Sequence, residues 1–354
     1  MAATPKAAPQ ARQGQPAAER LVRHIVSGWR CQALHAAVQL LLPEALRDGP
    51  RSAEDLAIEL ACDADGLARL LRALCTLGVA RERRDGRFAL TASGRLLCPP
   101  AAPGEPSLRA LAQWWGGPLW PMWGELAYSV RTGRSAREKL TGESGYRYLD
   151  QGGALPLLFH HAQAALTALV LDDIARWPGW PRARTLVDVG GGHAQVALAM
   201  LSAHRGLRAT VLDLPHAEAG ARQRITQAGL SARCAFQGGS FLDPLPAGAD
   251  VYLLKSILHN WDDETCARIL QRCADAVPRH GTLLIIERVQ PSRSRPRRRD
   301  EAAARTDLNM LAGLGGRERT SAQFAALLAP VGFRVAATQE TGFEFSVIEA
   351  RRGS

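Results

Sequence analysis

From Arg184 onward the chain alternates short apolar runs with amphipathic stretches, and this alternation restricts its fold more than any other feature. The runs are Leu186 to Val189, Ala209 to Leu212, Val251 to Leu254 and Leu283 to Ile286, with Val335 to Ala337 and Phe343 to Ile348 as closing strands. Strands covered on both faces read as continuous apolar runs, and parallel strands need helical crossovers between them. The pattern predicts an α/β domain over residues 183–354, built on a doubly wound parallel sheet.

Residues 20–100 follow a different pattern. Ser52 and Asp55 fit a capping box ahead of Leu56 and Leu60. Asp63 can cap a second helix, in which Leu67, Leu70, Leu71 and Leu74 share one buried stripe, and Gly78 ends it. Val79 to Arg83 and Phe88 to Thr91 flank Asp85-Gly86, a hairpin signal. Helix, helix, hairpin is the winged-helix order. Some such units enter the DNA major groove, and others only mediate contact between subunits.

Residues 101–182 form a second helical stretch, carrying Trp114, Trp115, Trp120, Trp123, Tyr128, Tyr146, Tyr148 and Phe159. Gly116-Gly117-Pro118 and Gly152-Gly153 interrupt it. These rings are either core or the wall of a flat apolar pocket, and both readings stay open. The candidate pocket lining is Trp114, Trp120, Phe159, His160, Asn260 and Asn309. Residues 1–19, rich in Ala, Pro and Gln, are expected to be a disordered leader.

Composition excludes several classes. Of 354 residues, 46% are hydrophobic and 22% charged, as in ordinary soluble domains. No apolar run approaches the roughly 18 to 20 residues of a membrane span. Seven cysteines without a CxxC pair predict reduced thiols in a cytoplasm, with neither a disulfide frame nor a zinc site. The net charge of +10 raises the question of nucleic acid. Much of the excess sits in Arg293 to Arg299, a Pro-interrupted run without aromatic residues to stack bases, read as a solvated loop. Neither nucleic acid nor membrane is expected as a partner.

The strand Leu186 to Val189 runs into Gly190-Gly191-Gly192, and a helix follows from Ala194. Such a turn lets a ligand approach the backbone at a helix N-terminus. Asp213 ends the next strand, where an acid meets a ribose in these folds. Nicotinamide and adenosylmethionine cofactors both fit this much. The acid Asp188 inside the strand and the missing third glycine lean away from a dinucleotide. His259 lies just past the carboxyl end of the strand Val251 to Leu254, where open sheets bind ligands, and it is the candidate base. Asp262 and Asp263 are expected to start a helix.

Four motifs in order carry a specific resemblance: VDVGGG (Val187 to Gly192), LLKSILHNWDDETC (Leu253 to Cys266), IIERV (Ile285 to Val289) and GGRERT (Gly315 to Thr320). Together they resemble the aromatic O-methyltransferase family within the class I methyltransferases. That family is shared by plant phenylpropanoid enzymes, hydroxyindole methyltransferases and bacterial phenazine and anthracycline enzymes. The resemblance runs from about residue 20 through nearly the whole chain. It implies a winged-helix dimerisation domain before a Rossmann-like catalytic domain, with homodimers closing each other's pocket.

The resemblance also implies S-adenosylmethionine as donor, S-adenosylhomocysteine as product and no metal. Asp188, Gly190 and Gly192 would bind the cofactor, the two glycines passing beneath its methionine part. Asp213 would hold the ribose, Leu214 would border the adenine, and Lys255 falls on a cofactor position. Where the family has Gly-Asp for the adenine amine, this chain has Gly239-Ser240. Ser240 would then make the hydrogen bond, and Phe241 would cover the ring. Glu287 and Glu318 would flank His259 as orienting groups.

The Ala- and Arg-rich composition resembles proteins of high-GC bacteria. It points to a secondary metabolite of antibiotic biosynthesis, such as a phenazine or aromatic polyketide, in a bacterial cytoplasm, and the tryptophan-rich stretch favours a planar polycycle. The methyl acceptor stays open among a ring hydroxyl, an N-hydroxyl and a ring nitrogen. Two other readings compete. A winged-helix DNA-binding regulator would present Arg69 and Arg72, but it leaves the glycine turn and His259 unexplained. A cofactor-binding member with hydroxylating or decarboxylating chemistry would have no need to retain His259, Glu287 and Glu318.

Overall fold

The two helices expected ahead of the hairpin start where their capping side chains sit. In the computed structural model, which describes residues 15–102, 105–149 and 153–353, Ser52 Oγ accepts from Asp55 N at 3.1 Å and Asp63 Oδ1 accepts from Gly66 N at 2.7 Å. The first fourteen residues of the expected leader, and Gly152, lie outside the described residues. The chain divides at the Gly117–Pro118 bond into two compact units.

The first unit holds α1 (Gln15–Ile25), α2 (Ser27–Gln39), α3 (Leu42–Ala45), α4 (Ala53–Glu59) and α5 (Ala64–Thr76). The antiparallel hairpin β1 (Ala80–Glu82) and β2 (Phe88–Leu90) follows, then α6 (Ala92–Arg95) and α7 (Arg109–Gly116). Leu67, Leu71 and Leu74 bury the stripe of α5 against Leu56, Phe88 and Leu90, with Leu70 at its margin. Gly78 adopts φ +70°, the left-handed stop expected after α5. At the end of α7, a side chain at Gly116 would collide with His35 on α2, so only glycine permits that approach.

The second unit opens with α8 (Trp120–Gly124), α9 (Leu126–Thr132), α10 (Ala136–Thr141), α11 (Leu155–Ala168) and α12 (Leu171–Ala175). The aromatic-rich stretch is therefore split between units. Trp114 is buried on α7 of the first, and Trp120 is well exposed on α8 of the second. Next come β3 (Thr185–Val189), α13 (Gln195–Ala203), β4 (Arg208–Asp213), α14 (Glu218–Gln227), β5 (Cys234–Gly238), β6 (Val251–Lys255), α15 (Asp263–Ala276) and β7 (Thr282–Glu287). A short parallel pair, β8 (Val289–Gln290) and β9 (Arg319–Thr320), brackets α16 (Arg298–Gly313). α17 (Ser321–Leu328), β10 (Phe333–Glu340) and β11 (Ser346–Arg352) close the chain.

The sheet order is β10-β11-β7-β6-β3-β4-β5. The five strands β3 to β7 are parallel, while β11 and β10 are antiparallel. The sheet is thus mixed: the parallel strands form the doubly wound part, and the two closing strands run against them. Side-chain alternation feeds two cores. Leu284 and Ile286 of β7 enter one with α12 to α14, and Leu283 and Ile285 enter the other with α15 and α17. The chain moves outward from β3 to β4 and β5, then crosses back to β6 on the other side of β3. That reversal places a crevice at the carboxyl ends of β3 and β6.

Three expectations shift. β5 has no continuous apolar run because it is an edge strand, with only Cys234 and Phe236 buried. The last strand starts at Ser346, not Phe343, because Thr341 Oγ1 donates to the carbonyls of Phe343 and Phe345 and turns the chain there. The basic run is not all solvated loop. Arg298 and Arg299 start α16, and Arg299 Nη2 donates to Phe345 O and Ser346 Oγ at 2.8 and 2.9 Å. No helix among the described residues is long and apolar enough to cross a membrane.

Candidate active site

The glycine turn sits in the crevice between β3 and β6. Gly190 and Gly192 take φ +70° and +53°, conformations that a side chain disfavours. A Cβ at Gly190 would lie 2.4 Å from Ile257 and 3.7 Å from Phe241. Gly190 N donates to Leu212 O at 2.7 Å, and Gly192 N to Asp213 Oδ2 at 2.7 Å, so the turn is clamped to the end of β4. Asp213 Oδ1 accepts from Leu214 N, and burial raises its carboxyl above the ordinary range. Asp188 is buried beneath the turn, where it accepts from Ala197 N at 3.2 Å; burial pushes its carboxyl up to about 7. It supports the turn and the start of α13 from below.

These residues fit an adenosyl ligand: side-chain-free backbone, an acid beside it, and flat apolar neighbours. Phe241 meets Trp261 edge to face at 5.9 Å between centroids. Ser240 Oγ accepts from Leu242 N at 3.1 Å, and Leu214 is substantially exposed. Lys255 Nζ donates to Ser256 Oγ at 3.0 Å and lies 4.9 Å from the Phe345 ring centroid. Burial, with Arg288 nearby, lowers its ammonium to about 8.

His259 follows a strained turn in which Ser256 has φ +55°. Glu287 ends β7 beside it, fully buried, and its Oε1 accepts from Ile257 N and Leu258 N at 2.9 Å and from His259 N at 3.4 Å. Glu318 Oε1 lies 3.1 Å from His259 Nδ1, and Glu287 Oε2 lies 3.6 Å from the same nitrogen. An ionised carboxylate only accepts, so against it the neutral ring carries its proton on Nδ1 and leaves the Nε2 lone pair free. Burial alone would depress this imidazole. The two carboxylates outweigh it and hold His259 above the ordinary imidazole range. Burial raises Glu287 in turn. One ligand atom from each of His259, Glu287 and Glu318 lies within 4.8 Å of the others, a donor set that would also suit a cation.

Arg319 was not singled out from sequence. It is buried and staples the base loop: Nη1 donates to Leu258 O, Nη2 to Trp261 O, and Nε to Asp263 Oδ1, at 2.8 to 3.0 Å. Gly316 lets this segment approach, because a Cβ there would lie 2.1 Å from His259 O. Asp262 caps α15 through Thr265 N at 2.8 Å. The signal for the staple was present in GGRERT, but no spacing rule reveals which carbonyls a guanidinium will reach.

Among the expected pocket residues, Phe159 and His160 lie together on α11 near the glycine turn. His160 stacks on His193 at 4.1 Å, and its Nδ1 is 3.7 Å from where a Gly192 Cβ would lie. Burial lowers His160 to about 3 and His193 to about 4, so both rings are neutral near pH 7. Phe159 meets Tyr146 at 5.7 Å. Asn260 is buried and donates to Ser256 O at 2.9 Å, while Asn309 is half-buried on α16.

A glycine turn after the first sheet strand, an acid closing the second, and a crevice at the strand switch define a nucleoside-cofactor site in an open α/β sheet, and the order of the motifs around it resembles the class I methyltransferases. Comparison with known proteins agrees. Residues 22–100 match the O-methyltransferase dimerisation domain, and residues 123–334 match the O-methyltransferase domain. The chain is 37% identical to the mitomycin biosynthesis 6-O-methyltransferase of Streptomyces lavendulae, covering 95% of each chain. It is 33% identical to the phenazine O-methyltransferase of Lysobacter antibioticus, over 95% of this chain and 96% of the other. A crystal structure of an O-methyltransferase from neocarzinostatin biosynthesis, in complex with S-adenosylmethionine and a hydroxy-methyl naphthoic acid, superimposes with TM-score 0.74 at 33% identity, over 91% of this chain and 96% of that one. The chain belongs to the O-methyltransferase family, and the expected family, fold class and enzyme class are borne out.

Proposed function

We propose that this enzyme moves the methyl group of S-adenosylmethionine to a hydroxyl of a planar aromatic secondary metabolite of the phenazine or naphthoate kind, with His259 as general base. The observation that carries this reading is the Nδ1 contact of His259 with Glu318, with Glu287 as a second carboxylate behind it. S-adenosylmethionine supplies an activated methyl group on sulfur. Asp213, Gly190 and Gly192 hold the donor, with Phe241 over its base.

The protein's own part is to orient the acceptor and take its proton. A phenol titrates near 10 and a free imidazole near 6.5. The raised proton affinity of His259 narrows that gap. Glu318 fixes the tautomer, so Nε2 faces the acceptor while Nδ1–H stays engaged. Similarity to enzymes of mitomycin and phenazine biosynthesis supports an aromatic acceptor from the same chemical range.

The first unit is read as the homodimer contact. Leu21, Val22, Ile25 and Trp29 are all more than half exposed on α1 and α2, the apolar display a partner copy would cover. The direct test of the base is His259→Ala. Turnover with radiolabelled S-adenosylmethionine should fall by about 10² to 10⁴-fold, while calorimetric affinity for S-adenosylhomocysteine stays at the wild-type value. Unchanged turnover would remove His259 from the chemistry.

A further inference from the structure

Among the described residues of the second unit three arginines are buried, and two of them meet an acid. Arg288 pairs with Glu344 at 3.1 Å and Arg319 with Asp263 at 2.7 Å. Arg137, on α10 and 6% exposed, does not. Its Nε donates to Gly313 O at 2.8 Å, and its guanidinium carbon lies 4.0 Å from the Tyr148 ring centroid. Nη1 and Nη2 are both buried and have no hydrogen-bond partner among the described residues. Among the described residues the carboxylate that bears on its charge is that of Glu138, a chain neighbour whose own side chain is exposed.

Leaving a buried guanidinium half-bonded is costly, and arginine does not escape the cost by losing its proton. A buried group in this state calls for something else to complete it. Its surroundings say where that something arrives. The charge of Arg137 bears on both Tyr146 and Tyr148. Tyr146 in turn feels the carboxylates of Asp213 and Glu287, and its ring neighbours Phe159, which meets His160 at 5.3 Å beside the glycine turn. The open guanidinium thus stands at one end of an aromatic wall whose other end is the candidate methyl-transfer site.

We propose that Arg137 receives an acidic group of the aromatic substrate, a carboxylate gripped through Nη1 and Nη2, so that acid-bearing aromatics are the preferred acceptors. The guanidinium fork matches a planar carboxylate in shape as well as charge. This rests on the methyl-transfer reading but is tested by binding alone, so the two can fail separately.

The full-length protein, saturated with S-adenosylhomocysteine, is titrated calorimetrically with matched pairs of hydroxybenzoate, hydroxynaphthoate and phenazine carboxylate against their neutral carboxamides. At least one acid should bind the wild type about 10- to 100-fold tighter than its amide, the worth of charge-assisted hydrogen bonds. Arg137→Met should erase that preference with S-adenosylhomocysteine affinity intact, and Arg137→Lys should keep part of it. The methionine variant is expected to fold, since an apolar side chain of similar volume often replaces a buried charge without loss. Equal binding of acid and amide by the wild type, failure of every acid to bind, or a preference that survives in Arg137→Met overturns the inference. Methylation of neutral phenols with no acid preference would do the same and leave methyl transfer standing. Failure to bind S-adenosylhomocysteine would instead overturn the methyl-transfer reading.

Discussion

The two units bury different kinds of side chain. The first packs its core from aliphatic residues, Phe88 and cysteine, and among the described residues none of its polar or charged side chains is buried. The second buries Arg137, Asp188, His259, Glu287, Arg288, Glu318, Arg319 and several hydroxyls. Its two sheet faces supply enough apolar area to tolerate them. Stability in the first unit is therefore a matter of volume and area. In the second it is also a matter of whether each buried donor and acceptor finds a partner. Glu287 is tolerable because three backbone N–H groups point at one oxygen. Its other oxygen and Glu318 Oε2 have no hydrogen-bond partner among the described residues, and Glu287 Oε2 lies 3.6 Å from His259 Nδ1.

Three changes sharpen or break this contrast, from the largest effect down. Charges placed on the apolar display of the first unit, Ile25→Asp with Trp29→Asp, should weaken self-association by roughly a thousandfold, since burying unpaired charge at an interface costs several kcal/mol. Sedimentation velocity at micromolar concentration should then show a monomer; a wild-type monomer would end the homodimer reading. Leu71→Ala empties part of a wholly apolar core and should cost about 2 to 5 kcal/mol of stability, read by urea unfolding. Affinity for S-adenosylhomocysteine in the folded protein should not move. If the melt hardly changes, the first unit is not held together by close packing.

Glu318→Gln removes one of the two charges that raise His259. With His259 as the proposed base, which works only when deprotonated, the wild-type rate should climb with pH through a midpoint above the ordinary imidazole value. Loss of the carboxylate lowers the folded-state pKa, so the midpoint should move toward lower pH. The plateau above it should fall by about tenfold, as a weaker base transfers protons less readily. A midpoint that stays put would show that Glu318 does not bear on the titrating group.

How much of this was legible beforehand varies with the range of the signal. Asp63, Gly78 and the stripe Leu67, Leu71 and Leu74 act within one or two helical turns, and each forms the element its chemistry predicts. The glycine turn and Asp213 were visible because β3, its turn and β4 are consecutive in the chain. β5 escaped notice because an edge strand need not be apolar throughout. The antiparallel direction of β11 escaped because pairing direction leaves no mark on composition. Asp188 belonged to the right motif, yet its carboxyl faces the underside of the turn, and which way a strand-end side chain points depends on the sheet around it.

By itself, the order of residues determined the strands, the caps, the glycine turn and the imidazole at the end of β6, because hydrophobic period and conformational preference operate between near neighbours. Only the tertiary structure decided which distant charges come together. Glu318, fifty-nine positions from His259, reaches its Nδ1, and Arg137 is enclosed with Nη1 and Nη2 unpartnered among the described residues. Desolvation and Coulomb energy depend on distance through space, and that distance exists only once the chain has closed around it.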